Sequence, residues 1–545
     1  MVKFRIFYTI MLIFANFAAR IFVQPYIINM KGNKLYIFAL TLVATMGGLL
    51  FGYDTAVISG TVESLRVFFI DPQGLPLAQA NALEGFVVSS ALIGCIIGAC
   101  LAGWLSQKFG RKPSLMIAAV LFLLSAIRSA WPEIFWGMPG DGDYHFINHF
   151  IYYRISGGVG VGIASMLSPM YIAEIAPANR RGTLVSLNQF AIILGMLIIY
   201  FVNYNIAQRG DAEWLHTIGW RQMFASEIIP AGMFLVALFF VPETPRYLVM
   251  RGCEEKALKV LRKTAGDDAE KEMSSIRESL SEKAPSMRPY YRSILSWVVV
   301  FLILFVILKL CKVNSAFGIS LVCSFLVALI NPIRSYGFTI VIVGVLLASL
   351  QQFIGINVVL YYAPEIFKTM GAATDTALLQ QIIVGAVNLS FTILAILTVD
   401  KFGRRPLMIV GALVMALSMF ILGTTFYMHS VGIGSLICML VYTAGFAMSW
   451  GPVCWVLLSE IFPNSIRSMV MSIAVASQWI SNFLVSWTFP MLDKNETLTA
   501  MFNHGFSYWI YGLMGVLAAL FIWKLVPETT GKSLEEMEGY WKKRG

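Results

Sequence analysis

The feature that most constrains this chain is a succession of apolar runs, each roughly 17 to 25 residues long, recurring from one end to the other. A run of that length crosses about 30 Å of hydrocarbon as a helix, and because lipid satisfies no backbone amide, helix is the state it must adopt. Twelve main spans are expected, at about 36–60, 83–103, 113–131, 147–171, 185–204, 222–241, 338–362, 378–398, 407–428, 433–457, 468–490 and 507–526. With 58% hydrophobic and 13% charged residues, the chain carries about half the charge fraction of a soluble protein. The expected fold class is an all-α membrane protein.

A net charge of +10 would suggest nucleic acid in a soluble domain, but here the Lys and Arg residues lie in short loops between spans. Every second loop is basic: 108–112, Arg180 and Arg181, 246–292, 401–405, Arg467 and the tail at 542–544. The alternate loops hold Asp71, Asp141, Asp143, Asp211 and Asp493. By the positive-inside rule the basic set is cytoplasmic, so both ends of the twelve-span unit face the cytoplasm, and the bilayer, not nucleic acid, is the expected partner. Seven cysteines without paired spacing read as free thiols, and five histidines without metal-ligand spacing give no reason to expect a metal or cofactor.

Two apolar segments stand outside the twelve. Residues 6–29 read as a further span, an interfacial helix, or translated sequence upstream of a start at Met30. The runs 294–310 and 317–330 read as an inserted membrane hairpin, the other reading being a pair of helices on the membrane surface. The expected organisation is an N-terminal extension (1–34), a six-helix bundle (35–241), a cytoplasmic helical loop (242–293), the hairpin (294–335), a second six-helix bundle (336–526) and a tail (527–545).

Three motifs occur twice. Lys108-Phe109-Gly110-Arg111 returns as Lys401-Phe402-Gly403-Arg404, Glu174-Ile175-Ala176-Pro177 as Glu460-Ile461-Phe462-Pro463, and Pro242-Glu243-Thr244 as Pro527-Glu528-Thr529, at offsets of 293, 286 and 285 residues. Near-constant offsets mean two homologous six-span halves, and parallel repeats of this kind rock about a site between them near the bilayer midplane.

These paired loops, with Gln351-Gln352-Phe353-Ile354-Gly355-Ile356-Asn357 and Val526-Pro527-Glu528-Thr529-Thr530-Gly531-Lys532, resemble the sugar porters of the major facilitator superfamily. Among them the chain is most similar to the bacterial D-xylose/proton symporters. The resemblance implies import of a monosaccharide, with D-xylose the first expectation, together with a proton, by a carrier functional as a monomer. A proton-independent hexose or pentose carrier is the alternative.

A sugar wants side chains that both donate and accept hydrogen bonds, which amides do. Gln189, Gln351, Gln352, Asn357, Asn388 and Gln478 lie within apolar spans. By position alone, each is as well explained by a bond between helices. The resemblance implies sugar contact for Gln189, Gln351, Gln352, Asn357 and Gln478, with Asn388 a less direct match, and an aromatic lining from Phe51, Tyr361, Trp455 and Trp479 for the apolar sugar faces. Trp450, Trp487 and Trp523 read as packing or interfacial residues. Seven residues after Gln189, where the resemblance leads one to expect another glutamine, stands Met196.

Asp54 sits mid-span, where an isolated carboxylate needs a cation or a proton. Arg154 is its expected partner, and the two match the symporters' coupling positions; Glu227 is a second candidate for the proton path, and a purely structural ion pair is the other reading. At the cytoplasmic face Arg111, Glu174 and Arg181 mirror Arg404, Glu460 and Arg467, with Asp400 beside the second set. They are expected to form a charge network that holds an inner gate shut in the outward-facing state. Gln107 replaces the acid common in the first loop. Gly158-Val159-Gly160-Val161-Gly162 follows no strand, so it reads as close helix packing and not as a nucleotide loop; no enzyme is expected.

Overall fold

The computed structural model describes residues 34–281 and 338–541, apart from 139, 141, 178–180, 463–466, 531–535 and 538. The N-terminal segment 6–29 and the inserted hairpin lie outside the described residues. All regular structure among the described residues is helical. Spans 1 to 6 are Lys34–Val57, Leu77–Lys108, Arg111–Ala130, Ile147–Ile175, Arg181–Ala207, and Trp220–Ala225 with Ile228–Phe240. Spans 7 to 12 are Phe338–Phe353 with Ile356–Thr369, Thr374–Phe402, Arg404–Tyr427, Ile433–Met448 with Trp450–Ile461, Arg467–Asp493 and Gly505–Leu525. Eleven helical segments among the described residues are long and apolar enough to cross a membrane. Span 11, with 27 residues, adds a twelfth of about 40 Å.

Within each half the helices pack closely because small residues let backbones meet. A Cβ on Gly158 or Gly162 would lie 1.8 Å from the Ala91 carbonyl oxygen or 2.4 Å from that of Cys95, so the glycine run of span 4 is the surface on which span 2 lies.

The repeated motifs form one device per half. Gly110 (φ +102°) and Gly403 (φ +82°) turn the chain into spans 3 and 9, leaving the first N–H groups of those helices without intrahelical partners. Glu243 accepts from the backbone N–H groups of Arg111 and Lys112, both at 3.1 Å. Glu528 accepts from those of Arg404 (3.2 Å) and Arg405 (3.0 Å). The Pro-Glu-Thr and Lys-Phe-Gly-Arg motifs recur together because one caps the helix that the other starts.

Spans 6, 7 and 10, expected as continuous helices, are each broken, at Ser226–Glu227, Ile354–Gly355 and Ser449. Gly355 takes φ +92°, and a Cβ there would lie 2.7 Å from the Tyr511 ring. The Ile354 carbonyl, freed by the break, accepts from the Tyr442 hydroxyl at 2.8 Å. Between spans 6 and 7 the described residues form three helices, Pro245–Met250, Glu254–Thr264 and Ala269–Ser281.

Candidate functional site

The break in span 7 gathers the amides. Gln351 donates to the Trp450 carbonyl (2.8 Å), itself next to the break in span 10. Its Oε1 accepts from Gln478 Nε2 at 2.7 Å and from Gln352 Nε2 at 3.5 Å, while Asn357 donates to Gln352 Oε1. Four of the six expected amides therefore form one hydrogen-bonded chain across spans 7 and 11. Gln478 Oε1 ends it as a buried acceptor with no partner among the described residues. Such an orphan is costly, and a ligand hydroxyl is the group that would satisfy it. Gln189 is half-buried on span 5, and Asn388 is buried on span 8 outside this chain of bonds.

The expected aromatics flank it. Phe51 of span 1 meets Trp479 of span 11 at a ring-centroid distance of 5.7 Å, so the contact joins the two halves beside Gln478. Trp455 is half-buried on span 10. Tyr361 is buried, hydrogen-bonded to Asn482, and within electrostatic range of Asp54 and Arg154. Trp450 is fully buried, its indole N–H donating to the Met408 carbonyl (3.0 Å), and Trp523 is exposed. Asn482 was not singled out from the sequence, although it is an amide in an apolar span four residues after Gln478.

Less than one turn along span 1 from Phe51, Asp54 accepts from Arg154 Nη1 at 2.6 Å, with the two side chains 0% and 1% exposed. Arg154 Nη2 also donates to the Asp54 backbone carbonyl (3.2 Å). Glu227, placed by the break in span 6, is buried within electrostatic and hydrogen-bond reach of Asp54. Asp54 Oδ2 and both Glu227 oxygens accept no N–H or O–H among the described residues. Two carboxyls beside one guanidinium leave an excess negative charge in a dry site unless one proton is held between them.

At the basic end, Arg111 pairs with Glu174 (2.7 Å) and Arg404 with Glu460 (3.2 Å). Each pair is internal to one half, joining the ends of two spans of the same bundle. The side chains of Arg181, Asp400 and Arg467 lie outside the described residues. Of the capping acids, Glu528 is held below the usual carboxylate range; burial pushes it up, but bonds from Thr530 and the Arg404 and Arg405 amides outweigh that. Burial prevails at Glu243 and raises it.

Ion pairs that join the halves are seen among the described residues at the far end, and the sequence did not point to them. Glu84, 2% exposed, takes Lys494 of the second half (2.6 Å) and Arg66 of its own. Lys368 pairs with Glu63, Asn81 donates to the Lys494 carbonyl (3.2 Å), and Trp487 to that of Ala82 (3.0 Å). Gly85 lets span 2 meet span 11, since a Cβ there would lie 2.1 Å from the Trp487 carbonyl oxygen. The seam between the bundles is thus closed at the end opposite Arg111 and Arg404.

Comparison with known proteins identifies the family. The chain matches the family described as Sugar (and other) transporter over residues 40–324 and 327–541. It is 56% identical over 520 residues to a D-xylose-proton symporter of Escherichia coli (strain K12), covering 94% of this chain and 97% of that one. It is 38% identical over 503 residues to a glucose facilitated diffusion protein of Zymomonas mobilis, covering 92% and 97%. The solved structure of the E. coli major facilitator superfamily proton:xylose symporter XylE bound to 6-bromo-6-deoxy-D-glucose superimposes with a TM-score of 0.73 at 56% identity, over 93% of this chain and 100% of that one.

Proposed function

The chain belongs to the sugar transporter family of the major facilitator superfamily, and we propose that it imports D-xylose with a proton by alternating access, as a monomer in a bacterial inner membrane. The observation that carries the reading is the pairing of two sites on span 1: Phe51 at the amide chain and Asp54 in the buried pair with Arg154. Gln351, Gln352, Asn357 and Gln478 would bond the sugar hydroxyls, with Gln189 and Asn388 as further amides, while Phe51, Tyr361, Trp455 and Trp479 cover its apolar faces. The basic end is cytoplasmic by the positive-inside rule, so closure of the far seam means a form closed to the outside.

Asp54 and Glu227 would share the carried proton. When it leaves, the second negative charge pulls harder on Arg154 and so biases the packing of spans 1, 4 and 6. Capping by Glu243 and Glu528, with the Arg111–Glu174 and Arg404–Glu460 pairs, keeps each bundle's inner end rigid while the bundles rock. A proton moving down 100 mV supplies about 2.3 kcal/mol, enough for about fiftyfold accumulation at one proton per sugar. Uptake of labelled xylose into proteoliposomes, with and without an imposed pH gradient, tests this reading. Accumulation above equilibrium only with the gradient is expected; equilibration alone would leave the facilitative alternative, and no competition between xylose and its own unlabelled form would remove xylose.

A further inference from the structure

A lysine-rimmed concavity lies away from the seam, at the basic end of the first half. It is a pocket of about 430 Å³ bounded by Tyr36 at the start of span 1, Lys112 at the start of span 3, Pro242 and Glu243 after span 6, and the helix Glu254–Thr264. That helix contributes Lys256, Lys259 and Lys263, whose spacing of three and four residues places them on one face. Lys263 Nζ lies 5.4 Å from the centre of the Tyr36 ring, and Lys112 Nζ donates to the Phe239 carbonyl at 3.1 Å. Four lysines therefore line a space that holds one carboxylate, Glu243.

Glu243 is already committed, both oxygens accepting from the backbone N–H groups that open span 3. The nearby Glu254 is taken by Arg277. Directly beside the pocket the surface turns apolar: Leu35 is 77% and Phe240 82% exposed, and Met233 and Val236 continue the exposed stripe along span 6. A ligand matching both parts has an anionic head and hydrocarbon tails.

We propose that this pocket binds the phosphate headgroup of an anionic membrane phospholipid, with its acyl chains lying along span 6. Basic pockets at the cytoplasmic ends of spans recognise headgroups in this way, each lysine near an anionic surface changing affinity about fivefold. The lipid would tie the surface helix to the ends of spans 1, 3 and 6, and so to the cap on span 3.

The test is native mass spectrometry of the purified full-length protein with dioleoylphosphatidylglycerol, dioleoylphosphatidylcholine and inorganic phosphate. Retention of phosphatidylglycerol but not phosphatidylcholine is expected, with about a hundredfold weaker binding in the triple variant Lys256→Gln, Lys259→Gln, Lys263→Gln. The triple Lys→Arg variant should retain the lipid. Lys271→Gln, an exposed lysine on the following helix, should change nothing. Unchanged sugar binding shows the triple variant folded. Equal retention of both lipids, displacement by millimolar phosphate, or full binding by the Lys→Gln variant would each overturn the site, the second in favour of a free anion.

Discussion

Lys494→Ala should shift the carrier toward the form open at the end opposite Arg111 and Arg404. In this structure its ammonium lies 2.6 Å from Glu84, whose side chain is 2% exposed, while Lys494 itself is 28% exposed. At an effective dielectric constant of about 20 the bare attraction is about 6 kcal/mol, but Lys494 remains partly hydrated and Arg66 stays on Glu84 after the change. Both discounts leave about 1–2 kcal/mol, between an exposed pair and a fully buried one. Opening the seam exposes Glu84 to water, so the loss falls on the closed form alone and the open fraction rises about tenfold. Electron–electron resonance distances between spin labels at the exposed Gln79 and Glu496, on a cysteine-free background, report the two populations. A longer distance should grow in Lys494→Ala and not in Lys494→Arg. An unchanged distribution in Lys494→Ala would refute the assignment of this seam as the gate.

Gln351→Ala removes the centre of the amide chain and the bonds that orient Gln478 and Gln352; loss of its own sugar contact and of the set orientation of those two amides, at about 1 kcal/mol each, should lower sugar affinity measured by calorimetry about a hundredfold. Asp54→Asn should abolish accumulation driven by a pH gradient while sugar counterflow persists; preserved accumulation would remove Asp54 from the proton path. Gly355→Ala drives a Cβ into the Tyr511 ring at a positive φ and should lower thermal stability by at least about 1–2 kcal/mol, measured by thermal melting. Contact with Asp493 (3.3 Å) raises the pKa of His504 above the ordinary histidine value, so its stabilisation is fully present below about pH 6.5 and is lost as pH rises through the raised value. His504→Gln should therefore lower the melting temperature at pH 5.5 and scarcely change it at pH 8.5.

The spans were legible because hydrocarbon thickness leaves no other choice, and the amide set because polar side chains are conspicuous in apolar runs. The breaks were half legible. Pro230 and Pro452 stand in the first turns of the helices that restart after the breaks in spans 6 and 10, where proline gives up no needed hydrogen bond, and Gly355 is the residue suited to positive φ. The far seam was not legible. Lys368 and Lys494 sit at span ends, where a charge reads as solvated topology, and nothing local says that each meets an acid hundreds of residues away. The pairs Arg111–Glu174 and Arg404–Glu460 were legible as residues through their duplication, but which acid each arginine meets was not, because that depends on how the span ends pack within each half.

Coupling follows from what span 1 carries. Phe51 and Asp54 are less than one helical turn apart, so a shift of that span large enough to change the Asp54–Arg154 contact must also move the ring lying against Trp479 beside Gln478. Conversely, a sugar that bonds the unsatisfied Gln478 oxygen fixes Trp479 and, through Phe51, the register of span 1. Tyr361 supplies a second link, buried against Asn482 in one half and within electrostatic range of Asp54 and Arg154 in the other. Each ligand therefore acts on an element that the other also loads, which is the physical requirement for one to change the affinity of the other. By reciprocity, protonation must strengthen sugar binding by the same factor as sugar strengthens proton binding. Asp54→Asn should accordingly hold sugar affinity at one value across pH, while the wild type loses affinity as the pair deprotonates.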